Sequence, residues 1–213
     1  GVPVRIEIGP KDVEKGSVVC VKRPNRAKSF VPMGELEPTV ARLLDEIQKG
    51  CFQYFWNEVG EGACLAKDKT SDTVCSIAAV GFQLSSLPIG VERGWITRDE
   101  GRERALAVLR ALTGRKDNKK YGIYLHFLDE NTGGQPDYSR TKYRYELQAS
   151  TVDHALLQAG AMTAAEYFGG DVAAAAGLST GIVYHLFKDK EAIFRALLDR
   201  YFTVLKAPDF PFN

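Results

Sequence analysis

The sequence predicts an α+β protein that is predominantly helical, with short N-terminal β-strands, then a long helical array, then a C-terminal helix-turn-helix. Three observations predict it. Residues 4–8 (VRIEI) alternate and residues 17–22 (SVVCVK) are β-branched and apolar, both strand signatures. From Pro38 onward apolar residues recur at helical spacing. From Asp171 to Phe202 an alanine-rich stretch, a turn at Gly177-Leu178-Ser179 and an amphipathic stretch follow in helix-turn-helix order.

In chain order, Gly9-Pro10 and Lys15-Gly16 punctuate the segment between the two strands, so their connection is too long for a tight hairpin. After Pro38, Val40, Leu43, Leu44, Ile47 and Phe52 form one stripe, with Arg42, Asp45, Glu46 and Lys49 opposite. A second helix is expected from Asp72, apolar almost all round through Val74, Ile77, Ala78, Phe82 and Leu84 to Leu87, ended or bent by Pro88 and Gly90. Thr97-Arg98-Asp99-Glu100 is a capping box that opens a helix to about Thr113, with Ala105, Leu106, Val108, Leu109 and Leu112 inward. Residues 114–120 read as a polar loop, 122–128 as a strand or extended segment, and 129–144 as irregular. Ser150 to Phe168 is the next helix. The last residues, KAPDFPFN, read as extended or disordered.

Composition narrows the function classes. At 213 residues one or two domains are expected, and Lys+Arg 28 against Asp+Glu 27 leaves a net charge of +1, so no global field recruits nucleic acid or a membrane surface. Without an apolar run of about 20 residues or a signal-peptide pattern, a soluble, cytoplasmic protein is expected, with no membrane partner. Cys20, Cys51, Cys64 and Cys75 show no CxxC spacing and no adjoining histidine cluster, so the expectation is reduced, partly buried thiols, no metal and no cofactor.

The words SIAAVGF, IGVERGWIT, HFLD followed by TG, and STVDHALLQAG resemble, in order, the glycoamylase-like family of bacterial (α/α)-toroid proteins, which includes glycoside hydrolases acting on β-glucans. The resemblance implies that residues 50–170 form part of a toroid, which cannot close within this length. It also implies a β-glucan oligosaccharide as partner, with Trp56, Tyr124 and His126 as sugar-binding candidates, although such residues are more often core than platform. Hydrolysis needs two carboxyl groups. Asp153 matches an acidic position near the family's cleft, but relatives carry Glu five positions earlier, where this chain has Gln148; the nearest acid there is Glu146. Asp129 and Glu130 are further candidates. Ser150-x-x-Asp153 is also a capping-box pattern, which would explain Asp153 by helix physics alone.

Residues 1–49, with GVPVRIEIGPKD, resemble part of the anticodon-binding domain of prolyl-tRNA synthetases. That implies RNA contacts from Arg5, Glu7, Lys22 and Arg23, with Lys11, Asp12, Arg26 and Lys28 nearby; the alternative is a solvated face of an amphipathic sheet. Residues 171–205, with AAGLSTGIVYHLFKDKEAIF, resemble the TetR-type helix-turn-helix. Thr180, Gly181, Tyr184 and His185 would lie on the recognition helix, with Lys188 and Lys190 near phosphates. A remnant lacking the dimer-forming domain should bind DNA weakly. Residues 206–213 form a tail.

Three segments with unrelated tasks join at shared words, LLDEIQ and AAEYFGG. The expectation is therefore a chimeric, designed or generated protein without an intact specific activity, a glycoside hydrolase if it is an enzyme at all. DNA binding and tRNA binding are the alternatives. Incomplete donor folds leave apolar helix faces through which the chain could self-associate.

Overall fold

Each of the chain's two units is built from short-range sequence grammar closed by a few long-range contacts. A computed structural model describes residues 4–23, 25–71, 73–137 and 148–177. The units are Gly1–Tyr54 and Phe55–Asn213.

In the N-terminal unit, β1 (Val4–Glu7), β2 (Ser17–Lys22) and β3 (Lys28–Pro32) form an antiparallel sheet in the order β1-β2-β3. Between β1 and β2 lies α1 (Pro10–Glu14), a short helix where the sequence suggests only a connection. Gly9 caps it, the Asp12 carboxylate accepts the Gly9 N–H at 2.9 Å, and Pro10 occupies a first-turn position where no amide donor is needed. The third strand likewise goes beyond the two expected. It pairs Val31 with Val18 and Ser29 with Cys20, so that Val18, Cys20 and Val31 form a buried cluster with Leu36 against it. A 3₁₀ turn (Met33–Glu35) leads into α2 (Leu36–Asn57). Of the expected inward stripe on α2, Leu43 and Phe52 are buried, whereas Leu44 and Ile47 remain exposed.

In the second unit, β4 (Val74–Ser76) precedes α3 (Ile77–Glu92), so the helix expected from Asp72 begins at Ile77. The residues before it pair with β7 (Phe127–Asp129) in register Val74↔Asp129 and Ser76↔Phe127. Pro88 does not end α3. The Ser85 and Ser86 hydroxyls donate to the Gly81 and Gln83 carbonyls of the preceding turn, at 3.1 and 2.8 Å, and the helix continues to Glu92. Phe82 is exposed, contrary to an all-round buried helix. α4 (Arg98–Thr113) has the expected capping box, with Glu100 N–H to Thr97 Oγ1 at 3.2 Å and Thr97 N–H to Glu100 Oε2 at 2.7 Å. Its expected inward residues are all buried. The extended segment 122–128 divides into β6 (Ile123–Tyr124), paired with β5 (Lys119–Lys120), and β7.

α5 (Thr151–Phe168) packs on α3 through glycine. A Cβ on Gly160 would lie 2.0 Å from the Gly81 carbonyl oxygen, and one on Gly81 would lie 2.4 Å from that of Leu156. No side chain fits at the crossing, so the two backbones touch. α6 (Gly170–Ala175) follows at Gly169, buries Val172 and ties Asp171 to Arg102 of α4. Gln83, fully buried on α3, holds three backbone groups: its Oε1 accepts the Ala66 N–H at 3.0 Å, and its Nε2 donates to the carbonyls of Cys64 (2.8 Å) and Phe55 (3.2 Å).

All four cysteines are free thiols: Cys20 and Cys75 are buried and Cys51 is exposed. Burial pushes the Cys75 thiol far above its ordinary value. Among the described residues, no helix is long and apolar enough to cross a membrane.

Candidate functional site

The start of α5 places Asp153, the acidic residue that the sequence singles out. Ser150 has extended backbone (φ −109°, ψ 114°), and its Oγ accepts the Asp153 N–H at 3.3 Å. That is one half of a capping box. The other half is not made, because the Ser150 N–H donates to the Tyr124 carbonyl at 3.3 Å and the Asp153 carboxylate turns instead onto His126, Oδ2 against Nδ1. Asp153 therefore does more than cap its own helix. With the Ser150 N–H already donated to Tyr124, the carboxylate takes its hydrogen bond from the imidazole instead.

His126 is fixed by its backbone. Its N–H donates to the Gln148 carbonyl at 2.8 Å, its carbonyl accepts the Ile77 N–H at 3.0 Å, and Leu125 bridges Ala149. The ring stands edge-on to Phe127 at 4.0 Å between centroids. The His126 side chain is 40% exposed and that of Asp153 13%, so the pair opens to solvent on the imidazole side while the carboxylate is largely enclosed.

Tyr124 and His154 extend the cluster. The Tyr124 N–H donates to His154 Nδ1 at 3.3 Å, and the two rings lie 5.5 Å apart at 32°. Lys119 Nζ sits 4.3 Å from the Tyr124 ring centroid. Tyr124 is 4% exposed, so it offers no open ring face to a sugar and its role as a stacking platform is corrected to that of a support. Burial, then the Lys119 charge, lowers the His154 pKa. Sequence reasoning does not single out His154 or Lys119. The available signal is that two of the chain's three histidines fall in the HFLD and STVDH words.

The other candidates are placed elsewhere. Trp56 is half-buried at the end of α2, with the Arg104 guanidinium 4.1 Å from its ring and donating to its carbonyl at 2.9 Å. Asp129 Oδ1 accepts from the Asn131 and Thr132 amides (3.1 and 2.9 Å) and the Thr132 hydroxyl (2.9 Å), closing a turn. Glu130 is buried at 5% exposure. Glu146 lies outside the described residues, as do Thr180, Gly181, Tyr184, His185, Lys188 and Lys190.

The expected RNA-contacting residues are divided between sheet faces. Glu7 draws both Arg5 and Lys28, the latter at 3.2 Å, and these cations hold its carboxyl below the usual range, Lys28 first. Lys22 is opposite Val4 in the register, hence on the other face from Arg5, and pairs with Glu46 of α2 at 3.5 Å. Arg23 is exposed beyond the end of β2. Among the described residues, no group of three or more His, Cys, Asp or Glu could hold a metal ion.

Comparison with known proteins gives three separate likenesses. Residues 170–197 match the tetR family of bacterial regulatory proteins. A proline--tRNA ligase of Oceanobacillus iheyensis is 46% identical over 68 residues, 32% of this chain and 14% of that protein. An exo β-1,2-glucooligosaccharide sophorohydrolase (non-reducing end) of Parabacteroides distasonis is 31% identical over 132 residues, 61% of this chain and 18% of that protein. Among solved structures, a β-1,2-glucanase from Parabacteroides distasonis superposes with a TM-score of 0.56 at 25% identity, covering 76% of this chain and 24% of that one. The chain thus spans less than a quarter of the length of each of these proteins, and its similarity is to parts of three unrelated kinds.

Proposed function

We propose that the second unit binds a β-glucan oligosaccharide of the β-1,2-linked type at the His126–Asp153 pair, and that this chain by itself does not hydrolyse it. The observation that carries the reading is the Asp153 carboxylate, drawn out of helix capping onto a solvent-open imidazole. The likeness to β-1,2-glucan-acting proteins supports the choice of ligand. A carboxylate in the first turn of a helix is favoured by the helix dipole, and with Oδ2 turned onto His126 its Oδ1 can accept a sugar hydroxyl. With Nδ1–H directed at Asp153, His126 Nε2 accepts a second.

Turnover needs a second carboxyl placed as acid or base opposite the first. The position five residues before Asp153 is Gln148, and a neutral amide neither donates a proton to a leaving oxygen nor attacks carbon. Calorimetric titration with a β-1,2-glucooligosaccharide, run beside a reducing-sugar assay, tests both halves. Binding that Asp153→Asn weakens, without sugar release, is the expected result. Release abolished by Asp153→Asn would replace binding with hydrolysis, and absence of binding would remove the reading.

The match over residues 170–197 favours a second reading, DNA contact through the C-terminal segment. Duplex affinity lost in the double substitution Tyr184→Ala, Lys190→Ala would support it; unchanged affinity would exclude it.

A further inference from the structure

β5 and β6 are joined by a two-residue loop, Tyr121-Gly122, in which both residues have positive φ (54° and 79°). This is the left-handed geometry of a tight hairpin turn, which favours Asn, Asp or Gly at its first position and disfavours an aromatic residue. Tyr121 nevertheless occupies it, and at 92% it is more exposed than any other large hydrophobic residue among the described ones. Its packing does not explain it: the ring's neighbour is the Lys120 ammonium, 5.9 Å from the centroid. A bulky ring held in a strained turn and presented to water points to a function at the ring.

The hairpin sets the position. Lys119 pairs with Tyr124 across it, and Tyr124 leads directly to His126. His126 follows Tyr121 by five positions, at most about 17 Å of extended chain, a span that a short oligosaccharide covers. The geometry points to Tyr121 as a distal sugar-stacking subsite that holds a further glucosyl ring of the same glucan bound at His126–Asp153. The apolar C–H face of a pyranose stacks on the electron-rich face of an aromatic ring, and the Lys120 ammonium beside the ring can donate to its hydroxyls. This inference rests on the glucan-binding reading above and specifies the ligand as longer than a disaccharide.

The test compares affinities for the β-1,2-linked disaccharide and pentasaccharide in the full chain. Wild type should bind the pentasaccharide about tenfold more tightly. Tyr121→Asn, which suits the left-handed turn and so preserves the fold, should remove that difference and leave disaccharide affinity unchanged. Tyr121→Phe should retain it, and Asp153→Asn should weaken both ligands. A difference that survives Tyr121→Asn, or equal affinities in wild type, overturns the subsite while leaving the glucan-binding reading in place. No binding of either ligand by wild type overturns both.

Discussion

The two long helices α2 and α5 illustrate opposite ways of using a helical sequence. α2 runs for 22 residues with a clear apolar stripe, yet only Leu43 and Phe52 are buried, and a Cβ added at Gly50 would meet nothing within 4 Å. α5 has 18 residues and a weaker stripe, yet it buries Leu157, Gly160, Ala161, Ala164 and Ala165 and meets α3 backbone to backbone at Gly160. A strong amphipathic pattern marks a helix that wants a partner. Small residues mark one that has a close partner, because only they let two helix axes approach this far. The candidate site lies at the start of the second kind of helix, where Asp153 is held in place by contacts far away in sequence.

The same substitution in each helix should therefore act in opposite directions. Gly160→Ala places a methyl within 2.0 Å of the Gly81 carbonyl, which is backbone and cannot swing aside. It should destabilise the second unit by about 3 kcal/mol, seen as a lowered denaturation midpoint. A smaller loss would mean that the crossing can loosen. Gln83→Ala removes at once the side-chain partner of the Ala66 amide and of the Cys64 and Phe55 carbonyls; about 2–3 kcal/mol is expected.

Asp153→Asn should lower stability by only about 1 kcal/mol while removing most glucan affinity. A fall in stability as large as that of Gly160→Ala would make Asp153 structural instead. Gly50→Ala, in open space on α2, should stabilise by about 0.5–1 kcal/mol.

The pH dependence is the smallest effect. His154 has a lowered folded pKa, so the folded state disfavours its proton. Its contribution is fully present above the unfolded value and is lost as pH falls from about 6.5 toward the lower folded value. Thermal midpoints of wild type should therefore decline over that interval, and His154→Gln should flatten the decline. A decline unchanged by the substitution would assign it to other groups.

Much of the local structure was legible because its causes are local. The Thr97–Glu100 capping box, the inward face of α4, the strands at Val4 and Ser17 and the start of α5 at Ser150 each follow from residues within one or two turns of one another. The likenesses to three families were legible too, since they are carried by short words in the chain. Less legible were features whose sequence signal is ambiguous. Val74-Cys75-Ser76 reads as the first turn of a buried helix, and only pairing with Phe127–Asp129 makes it a strand. Pro88 reads as an end or a bend, and α3 nevertheless runs on to Glu92.

The site divides in the same way. The sequence by itself determined that Tyr124, His126 and Asp153 are worth inspecting and that Gln148 replaces an acid. Tertiary structure alone decided that His126 and Asp153 meet, that Tyr124 is enclosed under Lys119 and beside His154, and that Trp56 belongs with Arg104. It also decided that Tyr121, an ordinary residue in the sequence, stands out in water on a left-handed turn. The physical reason is common to the first three. Hydrogen bonds and caps along one segment are fixed by spacing, whereas a side chain's burial and its partner across the fold depend on which distant backbone is brought alongside. In this chain that is settled by the Gly81–Gly160 crossing and the β4–β7 pairing.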